Sequence, residues 1–120
     1  MLHKSIENLR SFEANDLTAI KEIIHPKNDS VQLNYSLAHA TLEIGKSSIP
    51  HCLANQSEVY VFLSGEGSVI IEEEQKRVKK GDVVLVSKGA KQHVENLGDT
   101  ALEFLCIVSP PWQESDDLVL

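Results

Sequence analysis

From about residue 31 onward the chain is a succession of short segments rich in Val, Ile, Leu, Tyr and Phe, cut by glycines at 45, 65, 67, 81, 89 and 98. Apolar runs this short, bounded by turn formers, are strands rather than helices. The pattern predicts strands near 33–44, 57–64, 67–73, 76–79, 82–86, 91–97 and 100–108. Their regular spacing favours a closed barrel or a sandwich. A polar turn at Glu73 to Gln75 joins two of them into a hairpin, and Gly98-Asp99 is a second turn, so adjacent strands are expected to pair antiparallel. Only the segment before them reads as helical. Asp16 can cap a run with apolar residues at Leu17, Ile20, Ile23 and Ile24, one helical face, and Pro26 and Asn28 end it. The expected organisation is an N-terminal helical segment over 1–30 packed on a barrel over 31–109, with a tail over 110–120.

A chain of 120 residues holds one domain with one core. Its 42% hydrophobic content is that of an ordinary globular protein, which excludes disorder and fibrous structure. A formal charge of −7 repels phosphate backbones and anionic lipid, so neither nucleic acid nor membrane is an expected partner. The basic residues Lys76, Arg77, Lys79 and Lys80 follow Glu72, Glu73 and Glu74 and read as a solvated hairpin. No apolar run has the length of a membrane span, and the first residues lack a signal-peptide core, so a cytoplasmic location is expected. Cys52 and Cys106 are too few for a disulfide scaffold and read as buried free thiols. In the tail, Trp112 and the terminal Leu-Val-Leu are expected to dock on the barrel or on a partner subunit.

Two stretches carry the chemistry. The first runs from Gly45 through His51, Leu53 and Glu58 to Gly65. It resembles the first cupin motif, G-x5-H-x-H-x3–4-E-x6-G, with Leu53 at the position of the second His. The second runs from Gly81 through Ser87, Gly89 and Gln92 to Asn96. It resembles the second cupin motif, G-x5-P-x-G-x2-H-x3-N, with Ser87 in place of the Pro and Gln92 in place of the His. The resemblance implies a small single-domain cupin, a jelly-roll β-barrel whose lumen holds the site. It also implies a divalent metal, Zn, Mn, Fe, Ni or Cu, held in such proteins by three His and one Glu. Here His51, Glu58 and Gln92 are the candidate ligands of an incomplete site, since an amide oxygen is a weak donor to these metals.

Alternation along a strand puts Glu58, Tyr60 and Phe62 on one face and Val59, Val61 and Leu63 on the other. A carboxylate on the inner face must meet a donor, a metal or a raised pKa, because desolvating a lone charge is costly. Tyr60, Phe62, Leu53 and His39 are the candidate pocket residues, the direction of His39 being unreadable. His93, one residue past the expected ligand position, faces away unless a bulge intervenes. Parity likewise turns Cys52 away from His51, and His3 and His25 need no more than solvent or capping roles.

The resemblance implies a small organic or sugar-like ligand, with Glu58 and His51 as candidate catalytic groups for isomerase- or oxygenase-type chemistry. The alternative is a metal-free, non-catalytic binding or sensor module, which Leu53 and Gln92 favour. A purely structural barrel is a third reading, and exposed apolar ends suggest a homodimer.

Overall fold

A computed structural model describes residues 1–120. Eleven strands form two sheets: Phe12–Glu13 (β1), Ala19–Ile24 (β2), Ser36–Leu42 (β3), His51–Leu53 (β4), Ser57–Ser64 (β5), Glu66–Ile71 (β6), Glu74–Lys79 (β7), Val83–Val86 (β8), Gln92–Asn96 (β9), Leu102–Ser109 (β10) and Asp117–Val119 (β11). One sheet has the order β1-β2-β3-β10-β5-β8 and the other β11-β4-β9-β6-β7, so the ladders make a two-sheet jelly roll and do not close into a continuous barrel. The one turn of α-helix, Pro26–Asp29 (α1), is capped by His25, whose ring accepts the Lys27 N–H.

Period-two patterning places the core between the sheets. Along β5 burial alternates, with Glu58, Tyr60 and Phe62 inside. Ala40 and Leu42 on β3, Phe104 and Cys106 on β10, and Val69 and Val94 on the facing sheet complete the interior. Tyr60, Phe62 and Phe104 pack edge-on or tilted, with ring centroids 5.2 and 6.1 Å apart. Gly65 enters β6 at φ +88, where an added Cβ would lie 2.6 Å from the Ala101 carbonyl oxygen, so only glycine fits this sheet-to-sheet crossing.

The N-terminal expectation is overturned. The run Leu17 to Ile24 is not a helix: Ala19–Ile24 is strand β2, paired with β3. A bulge at Ile23 explains how an i, i+3, i+4 apolar pattern is accommodated on a strand, because it skips one residue before Ile24 meets Leu37. Asp16 caps no helix; its Oδ1 accepts from Thr18 N and Thr18 Oγ1, the local turn that Asp favours. Sequential pairing also holds only in part. The hairpin β6–β7 forms, with its turn at Glu72 and Glu73, whereas Gly98-Asp99 carries the chain from β9 in one sheet to β10 in the other. In the tail, β11 pairs with β4 of its own chain. Both cysteines are free and buried.

Candidate functional site

A cavity of about 340 Å³ opens between the sheets at the end closed by the β1–β2 hairpin and the C-terminal segment. That volume suits a small organic molecule. Its lining includes the apolar Ala38, Ala40, Leu53, Val94 and Phe104, and its polar groups include Asp16, His51, Glu58, Tyr60 and Asp117.

β4 turns His51 inward beside Gln92 of β9, its direct partner in the ladder. The residue is 5% exposed. Nδ1 lies 3.3 Å from the Ile49 carbonyl oxygen and 3.6 Å from Asp16 Oδ2; both are acceptors, so Nδ1 carries a proton, and Nε2 has no hydrogen-bond partner within the protein. The Asp16 loop is fastened over this point by the Ile49 N–H, which donates to the Asp16 carbonyl at 2.8 Å.

Glu58 is 7% exposed. Burial pushes its carboxyl up from 4.5 to about 7, opposed by the nearby His51 and by Gln92 and reinforced by Asp16 and Asp117. Tyr60 donates its hydroxyl to Gln92 Oε1. Burial, then the charge of Glu58, drives the phenol well above its ordinary value, so Tyr60 is a neutral donor. Cys106 borders the same space, and burial and Glu58 push its thiol up too, which makes it an inert wall group.

Asp117 accepts from Trp112 Nε1 at 2.9 Å, while the Trp112 carbonyl meets His25 Nε2 at 2.8 Å. The tail thus forms one rim and the β1–β2 hairpin the other.

Of the residues singled out in the sequence, His51, Glu58, Leu53 and Tyr60 line this cavity. Gln92 stands behind it as partner of Tyr60, and Phe62 lies deeper, in the core. His39 is turned to the outer face, where Nε2 is 3.2 Å from Glu103 Oε1. His93 faces out as well, 3.3 Å from Glu95 Oε1, as strand parity requires. Asp16, Asp117, His25 and Trp112 were missed. The Asp16-Leu17-Thr18 turn signal was present but read as a helix cap, and nothing local to Asp117 points to the cavity.

Residues 38–108 match the Cupin domain family. The chain belongs to the cupin family. An uncharacterised protein of Methanocaldococcus jannaschii is 29% identical to this cupin over 114 residues, 95% of this chain and 90% of the relative. A predicted oxalate decarboxylase from Thermotoga maritima superposes with a TM-score of 0.81 at 21% identity, covering 91% of this chain and 99% of that one. Pac13, a nucleoside dehydratase of Streptomyces, superposes with a TM-score of 0.80 at 16% identity over 100% of this chain and 91% of that one. At these identities the two structures show the shared fold alone.

The donor set here does not fit a cupin metal centre. No three His, Cys, Asp or Glu side chains converge on one point. Leu53 offers an isobutyl group where such a centre has imidazole, and the amide oxygen of Gln92 is engaged by the Tyr60 hydroxyl.

Proposed function

We propose that this cupin binds a small organic, sugar-like molecule in the cavity and moves a proton on it, with Glu58 and His51 as the acid–base pair. The observation that carries the reading is Glu58: a buried carboxyl facing an open cavity with a pKa of about 7, where both of its forms are populated at neutral pH. Ionised Glu58 takes a proton from the carbon beside a ligand carbonyl and returns it to the neighbouring carbon. His51 Nε2 takes the proton of the ligand hydroxyl beside that carbonyl and passes it to the carbonyl oxygen, its ring fixed through Nδ1 by Ile49 and Asp16. Tyr60 and Gln92 keep the wall behind Glu58 neutral. Isomerisation is the simplest reaction of this kind.

The test is a thermal-shift panel of aldoses, ketoses and hydroxyketones, followed by turnover assays on any that stabilise the protein. Glu58→Gln should abolish turnover while binding persists. Binding with no turnover in the native protein would instead support the second reading, a metal-free binding module, which the apolar Leu53 favours.

We also propose that the protein is a homodimer through the outer face of the larger sheet. Across that face the ladders align Leu37, Ile107, Val59 and Leu85 in one row, and His39, Leu105, Val61 and Val83 in the next. Val83 and Leu85 are each 63% exposed. Copies of a chain with charge −7 repel one another, and these two rows, which carry no carboxylate, are where that repulsion is smallest and apolar area is gained.

A further inference from the structure

The chemical class of the ligand follows from the charges around the cavity, on the reading above that it is a ligand site. Six carboxylates face or rim it, Glu13, Asp16, Glu22, Glu58, Glu114 and Asp117, and no lysine or arginine does. The histidines do not balance them. His25 accepts the Lys27 N–H on Nδ1 and must therefore donate from Nε2 to the Trp112 carbonyl, which holds it as a neutral imidazole with no nitrogen left over. His51 is the one remaining basic group. Glu58, more than nine-tenths buried, is aimed into the cavity, and Asp117 Oδ1 is buried with no hydrogen-bond partner at all. Such a site has acceptors in excess and lacks donors.

We propose that the ligand carries a protonated amine, seated among Asp16, Glu58 and Asp117, with its carbon frame against Phe12, Tyr60 and Trp112. An ammonium brings three N–H donors and a positive charge to acceptors that lack both, and aromatic walls add cation–π attraction. A carboxylate or phosphate ligand meets uncompensated repulsion instead, strengthened by the low dielectric of the cavity. The groups that face Glu58 are His51 on β4, Gln92 on β9, Cys106 on β10, Asp117 on β11, Asp16 in the loop before β2 and Tyr60 on its own strand. Among them an incoming cation favours the ionised carboxylate, so docking near neutral pH releases a proton from Glu58.

Three molecules with one carbon frame separate the possibilities: 2-phenylethylamine, 2-phenylethanol and phenylacetate. Titration calorimetry on the full chain should give the amine an affinity at least about tenfold above the alcohol, with phenylacetate silent. The advantage should shrink with added salt and in the isosteric Asp117→Asn, or in Asp16→Asn should the first variant fail to fold. Equal binding of amine and alcohol, or tighter binding of phenylacetate, overturns the inference and leaves the proposed function standing. Silence of all three overturns it too, and the proposed function falls with it only if the sugar and hydroxyketone panel is also silent.

Discussion

Glu58 shows how one residue ties stability to chemistry. Its carboxyl ionises near 4.5 when solvated and near 7 when buried, so between those values the folded chain holds a proton that the unfolded chain has lost. Its contribution to stability is therefore full below pH 4.5, declines as pH rises, and above about pH 7 is a constant penalty. The shift corresponds to an upper bound on the order of 3 kcal/mol. Denaturant unfolding at pH 5 and pH 8 should show that Glu58→Gln removes this decline and is the more stable protein at the higher pH. In the native protein, turnover that uses ionised Glu58 as base should rise with pH through about 7. Leu53 and Gln92 lead to a separate expectation. With so few donors, untagged protein should carry less than about a tenth of an equivalent of Zn, Mn, Fe, Ni or Cu by elemental analysis, unchanged in His51→Ala. Half an equivalent or more, lost in that variant, would restore the metal-centred reading.

At the scale of elements, the motif asparagine is a junction more than a site residue. Asn96 ends β9, donates to the carbonyls of Leu42 and Thr100 and accepts the Gly98 N–H, each at 2.9 Å, so it ties the crossing between the sheets. Asn96→Ala leaves two carbonyls and one N–H without their partner and should cost about 3 kcal/mol, read from the denaturation midpoint, without altering the cavity. The β1–β2 hairpin was the element least legible in the sequence. Its Leu-x-x-Ile-x-x-Ile-Ile pattern satisfies a helical period, and only pairing with β3 and the bulge at Ile23 select the strand. By contrast β5 was legible to the residue, because its short apolar run, rich in Val and aromatic residues, is bounded by Ser57 on one side and Ser64-Gly65 on the other. The short strands β4 and β11 exist only through each other and β9, and no local pattern marks them.

For the whole molecule, the exposed rows on the outer sheet predict association. Val83→Glu or Leu85→Glu, both at exposed positions on edge strand β8, should weaken the dimer at least about tenfold in sedimentation equilibrium while leaving the fold intact. A native protein that sediments as a monomer would remove that proposal. The sequence by itself determined the strand-rich fold and the shared face of Glu58, Tyr60 and Phe62, because period-two side-chain direction and glycine spacing are local properties that survive without a partner, while the resemblance to the cupin motifs supplied the inward turn of that face and of His51. Parity alone also sent His93 outward. The tertiary structure decided the rest: that the N-terminal run is a strand walling the cavity, that Gln92 faces Tyr60, that His39 looks outward, and that Asp16 and Asp117 join the site from distant parts of the chain. Those outcomes depend on which strands meet. A side chain's charge and neighbours inside a two-sheet fold are set by contacts between segments far apart in sequence, and no window along the chain contains them.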